Sequence, residues 1–138
     1  MKNNRDKQWM EIPVATYEDI ILARQKVKEI MQKMGFSVLA QTRIVTAVSE
    51  LARNMVVHAG GGVMSVFQTQ PPGSRRGITC IFQDQGPGIP DINMAMKAGF
   101  STSNSMGLGL SGSQKLCKEF SIESTVGRGT RVSITEWI

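Results

Sequence analysis

Residues 78–90 constrain the fold more than any other stretch. Ile78 to Phe82 is apolar enough for a central strand, and it runs into Asp84-Gln-Gly-Pro-Gly88 and then Ile89-Pro90. A carboxylate at the end of a buried strand packs poorly, so its position calls for a partner. It is an acceptor suited to an exocyclic amino group. Gly86 and Gly88 have no Cβ, so backbone there can approach a flat ring closely. The same residues also make an ordinary Asp/Gly/Pro turn, and alone they do not decide between the two.

Two other stretches are spaced to face this loop. Apolar residues Ile44, Val48, Leu51, Met55 and Val56 predict a helix over residues 38–59, stopped by Gly60-Gly-Gly62. On it Glu50, Asn54 and His58 are four apart and share a face. Glu50, a carboxylate beside an apolar stripe, suits a general base. Asn54 offers a neutral carbonyl oxygen, a good Mg²⁺ ligand when phosphates supply the charge. Asn is a poor helix former, so its mid-helix place asks for a reason; a solvated polar face is the alternative. His58 is read as complementing the dipole at the helix end. It is the single histidine, which excludes a two-histidine zinc motif.

The second stretch, Gly107-Leu-Gly-Leu-Ser-Gly112, opens a helix expected to run through Leu116 to Phe120. Glycines ahead of a helix present free N–H groups to phosphates. The run lacks the G-K-[ST] of a P-loop and the preceding strand of a dinucleotide fingerprint. Gly127-Arg-Gly-Thr130 reads as a hairpin turn, with Thr130 placed to bring a hydroxyl to the group that Asp84 reads.

Elsewhere, residues 8–14 predict a strand. Thr16 and Asp19 predict a cap for a helix whose Ile20, Val27, Ile30, Met31 and Met34 form a core stripe, ended by Gly35. Strands are expected over 63–70, 78–83, 121–125 and 130–137, a short helix over 91–98, a loop over 71–77 and a mobile polar segment over 99–106. The order β-α-α-β-β-(α)-α-β-β favours an α+β layer, with helices on one face of a mixed sheet. At 138 residues the chain is expected to be one domain, 1–138. Residues 1–7 are polar, a frayed start without the apolar core of a signal peptide, and no apolar run spans a membrane. The net charge of +5 suits an anionic partner, but the basic residues are scattered and aromatics are few. That argues against a nucleic-acid face. Cys80 and Cys117 read as buried free thiols in a reducing cytosol.

The order of motifs is more specific than any one of them: a helical E-x-x-x-N, strand-D-x-G-x-G, G-x-G-x-x-G and G-x-G-T. In this the chain resembles the GHKL ATP-binding superfamily from about Val38 onward. The resemblance implies a two-layer α/β sandwich of the Bergerat type, with ATP and Mg²⁺ held between helices and sheet. It implies that Asn54 holds the metal, that Asp84 takes the adenine amino group, and that Gly86, Gly88, Ile89 and Thr130 complete the base pocket. Residues 99–109 would form the lid, and Ser101, Thr102, Ser103, Gly107, Leu108, Gly109 and Leu110 would meet the nucleotide. Ser105 stands where many family lids carry glycine. Glu50-Leu-Ala-Arg-Asn54, Asp84 to Asp91 and Gly99-Phe-Ser-Thr-Ser103 narrow the likeness to the bacterial partner-switching serine/threonine kinases. Such kinases act in the cytoplasm on STAS-domain stressosome proteins and, when released, activate a PP2C-type phosphatase. A sigma-binding kinase, a nucleotide-gated binding module and a simple ATPase are the rival readings, and a homodimer is left open.

Overall fold

The computed structural model describes residues 7–70, 75–97 and 109–138. Its elements are β1 (Lys7–Val14), α1 (Tyr17–Met34), α2 (Val38–Ala59), β2 (Gly62–Thr69), β3 (Gly77–Gln83), α3 (Ile92–Ala95), α4 (Gly109–Leu116), β4 (Glu119–Thr125) and β5 (Gly129–Trp137). The expected element order holds. Thr16 caps α1 by accepting from the Asp19 amide, while the Asp19 carboxylate accepts from the Ala15 and Thr16 amides. Those bonds, to Ala15 first, hold the Asp19 carboxyl below its ordinary pKa. Gly35 and Gly60, both left-handed, end α1 and α2.

The strands form one sheet in the order β1-β2-β3-β5-β4, and every neighbouring pair is antiparallel. The expectation of a mixed sheet is corrected here. β1 and β2, joined through α1 and α2, run in opposite directions. β3 and β4 do run the same way, but β5 inserts between them and pairs antiparallel with both. Helices cover one face of the sheet. The core between the layers joins Val27 and Met31 of α1, Ile44 and Val48 of α2, and Met64, Ile78, Phe82 and Ile134 of the sheet. Each such side chain contributes roughly 1.5–3 kcal/mol when fully buried.

α4 ends at Leu116 instead of continuing to Phe120. Phe120 and Ile122 lie on β4, half-buried against the core, between exposed Glu119, Ser121 and Glu123. A period of two replaces the helical one. Arg43 on α2 spans the two layers. It meets Glu136 of β5 at 2.8 and 3.2 Å and donates to the Leu116 carbonyl at 2.9 Å. The Glu136 side chain is 2% exposed and that of Arg43 30%. Hydrogen bonding to Glu136 raises the Arg43 pKa. Cys80 is buried, Cys117 half-buried, and both thiols are free. No helix among the described residues is long and apolar enough to cross a membrane. Residues 1–6, part of the predicted loop (71–74) and the predicted mobile segment (99–106) lie outside the described residues.

Candidate functional site

The site lies where the C-terminal half of α2, the loop after β3 and the β4–β5 hairpin meet. β3 stops at Gln83, and the half-buried Asp84 follows. Its Oδ1 accepts from the Gly86 amide at 3.0 Å and from the Thr130 amide at 3.2 Å. Its own amide donates to the Thr130 carbonyl at 3.0 Å. Among the described residues nothing bonds Oδ2. One oxygen of the carboxylate is therefore held by backbone, and the other is left for a donor.

Asp84 lines a cavity of about 490 Å³, within the roughly 300–1,000 Å³ typical of small-molecule sites. Leu51, Met55, Phe82 and Val132 form much of its apolar wall. Of the predicted residues, Asn54, Gly88, Ile89, Gly109, Leu110 and Thr130 join Asp84 there. His58 does so as well, while also occupying the last turn of α2 as expected. Glu50 is not in the wall. It is half-buried, one turn before Asn54 on α2, about 6 Å along the axis. Ser101, Thr102, Ser103, Ser105, Gly107 and Leu108 lie outside the described residues.

The two loop glycines answer to neighbouring protein. A Cβ on Gly86 would sit 2.6 Å from the Ala59 Cβ, at the end of α2. A Cβ on Gly88, whose φ is +80°, would sit 2.5 Å from the Thr125 carbonyl oxygen. Gly86 does not line the cavity. The loop is thus seated against α2 on one side and the hairpin on the other. Two hydrogen bonds complete the seam: Gly127 N–H to the Pro87 carbonyl at 2.9 Å, and Ile89 N–H to Ser124 Oγ at 2.8 Å.

Some of these residues were not singled out from the sequence. Met94 and Ala95 close the wall from α3, which Asp91 caps by accepting from the Met94 amide at 3.0 Å. The Asp91 cap is the signal that could have pointed to them. Ser124 belongs to no motif and had no such signal. Among the described residues, no group of three or more His, Cys, Asp or Glu side chains could hold a metal.

Residues 39–136 match the family described as histidine kinase-, DNA gyrase B-, and HSP90-like ATPase. The chain belongs to this ATPase family. The serine/threonine-protein kinase RsbT of Bacillus subtilis (strain 168) is 42% identical over 127 residues, covering 92% of this chain and 95% of that protein. An anti-sigma F factor of Thermoanaerobacter sp. (strain X514) is 35% identical over 98 residues, 69% of this chain and 68% of that protein. Among solved structures, the RsbU and RsbW domains of Rv1364c from Mycobacterium tuberculosis align with a TM-score of 0.62 at 20% identity, over 92% of this chain and 31% of that one. That likeness shows the fold. Membership of the ATPase family implies ATP as the nucleotide, and the half-free Asp84 carboxylate above an apolar cavity fits a purine with an amino group.

Proposed function

We propose that this chain is an ATP-dependent protein serine/threonine kinase of a cytoplasmic partner-switching module. Its substrates are STAS-domain proteins of a stressosome, and once released from them it activates a PP2C-type phosphatase. The observation that carries the reading is the extent of one likeness: 42% identity over 95% of a serine/threonine-protein kinase.

The geometry supports a division of labour. Asp84 Oδ2 accepts from the adenine amino group, while Oδ1 keeps the loop in place. Gly88, Ile89 and Thr130 border the base, and Gly109 and Leu110 stand at the start of α4 on the same cavity. Asn54, which lines the cavity, would hold Mg²⁺ through its side-chain carbonyl. A Mg²⁺ ion held there would take its remaining ligands from phosphate oxygens and water, and would offset the phosphate charge. Bound Mg²⁺-ATP supplies the phosphoryl group. Glu50, a turn from Asn54, takes the proton of the incoming Ser or Thr hydroxyl.

One observation favours a second reading. The likeness to anti-sigma F factors extends over two thirds of the chain, so a kinase that also binds a sigma factor is the alternative. The test is a single-turnover reaction with γ-labelled ATP, with and without a purified STAS-domain protein. Label should pass to a protein Ser or Thr, and Glu50→Ala should slow transfer about 10²–10⁴-fold while ATP binding is kept. Label recovered only as free phosphate would overturn the kinase reading. Retention of a sigma factor on the immobilised chain would favour the alternative.

A further inference from the structure

Ser124 stands on β4 directly across from Thr130 on β5. Its hydroxyl sits among three groups. Ile89 N–H donates to it at 2.8 Å, the Gly129 carbonyl lies at 3.1 Å, and Thr130 Oγ1 lies at 2.8 Å.

A serine hydroxyl has one proton and two lone pairs. The Ile89 amide can only donate, so it occupies one lone pair. The Gly129 carbonyl can only accept, so it takes the proton. That leaves one lone pair for Thr130, whose hydroxyl must then donate to it. The Thr130 backbone is fixed as well, because its amide and carbonyl are both bonded to Asp84. Thr130 lines the cavity beside Asp84. With its proton turned back toward Ser124, it shows lone pairs to the cavity.

We infer that Ser124 is a positioning residue that locks the Thr130 hydroxyl as an acceptor and so sets the base selectivity of the site. The inference rests on the nucleotide reading above and assigns part of its selectivity to a residue outside the cavity wall. A hydroxyl that can rotate meets a donor or an acceptor equally well. A locked one rejects the wrong partner, which is how a polar site discriminates. ADP carries an amino group at position 6 of its base, and IDP carries a carbonyl there. With both acceptors, Asp84 and the locked Thr130, at position 6, ADP is favoured, since only its base has a donor there. IDP's N1–H would meet an acceptor only if Thr130 faced N1, and the ratio would then rise in Ser124→Ala and overturn the inference.

The test is calorimetric titration of the full chain with ADP and with IDP, in the presence of Mg²⁺. The proteins are wild type, Ser124→Ala, Thr130→Val and the double variant. Ser124→Ala should lower the ADP-to-IDP affinity ratio about three- to tenfold, the worth of one neutral hydrogen bond. Thr130→Val should lower it similarly, and adding Ser124→Ala to Thr130→Val should lower it no further. Ser124→Thr, which keeps the hydroxyl, should keep the ratio. Should Ser124→Ala fail to fold, Ser124→Cys replaces it in the same cycle with the same expected fall. An unmoved ratio, or two effects that multiply in the double variant, would overturn the inference. A wild type that binds ADP with the ratio unmoved by these changes sinks this inference alone; one that binds no ADP sinks the nucleotide reading with it.

Discussion

Asp84 and Glu136 are both partly or wholly buried carboxylates on the helix side of the sheet, and they are used differently. Glu136 has both oxygens bonded by Arg43, which also ties down the end of α4. It is a closed group, and its product is cohesion between layers. Asp84 has one oxygen bonded by two backbone amides and the other unbonded among the described residues. Half of it builds the loop and half is open, as the proposed nucleotide role requires. Burial and charge alone do not separate a structural carboxylate from a functional one; counting the bonds each oxygen makes does.

The sharpest way to break that comparison is to strip each carboxylate of its partner. Arg43→Ala leaves Glu136, with its 2% exposed side chain, buried and unpaired. It should cost about 3–5 kcal/mol in denaturant unfolding. Glu136→Ala should cost clearly less, because the 30% exposed Arg43 side chain can turn to water. Equal losses would mean that the pair acts through packing and not through charge.

A smaller effect is expected at Asp84, and on a different quantity. Asp84→Asn keeps an Oδ1 to accept from Gly86 and Thr130 but exchanges the open oxygen for an NH₂ donor. ATP affinity should fall about ten- to a hundredfold, with the melting temperature nearly unchanged. A melted protein, or intact affinity, would erase the distinction between the two carboxylates.

A third effect, read as a pH dependence, concerns the thiols near the closed group. Burial pushes Cys80 up to about 12, and burial followed by the Glu136 charge pushes Cys117 up to about 12. Both are acids whose neutral form the fold favours. The unfolded chain therefore ionises first, and stability present below pH 9 is lost as pH rises toward 12. The variant Cys80→Val/Cys117→Val should show a shallower alkaline loss than wild type when unfolding is followed from pH 8 to 11. Parallel curves would show that the thiols do not contribute.

Much of this was legible in the sequence because it is local. Thr16, Gly35 and Gly60 punctuate α1 and α2, and the apolar spacing of each helix gives its buried face. Phe120 was misplaced because an apolar residue after a helix satisfies either period, and only pairing with Ile134 makes it a strand residue. Strand direction depends on β5 entering between β3 and β4, a tertiary choice with no local sign. The site divides in the same way. Asn54, Asp84 and Thr130 announce themselves by type and spacing. Ser124 does not, and Arg43 and Glu136 lie 93 residues apart. The glycines of the loop were noticed for a reason that lies in part elsewhere, since Ala59 and Thr125 leave no room for a side chain there.

The place of β5 also bears on how the chain is made. β5 is the last of the described strands to be synthesised, yet it joins β3 to β4 and supplies the amide that fixes Asp84. Until it emerges from the ribosome, β3 keeps one edge open to stray strand pairing, β4 has no sheet to join, and the loop after β3 lacks the Thr130 amide that holds Asp84.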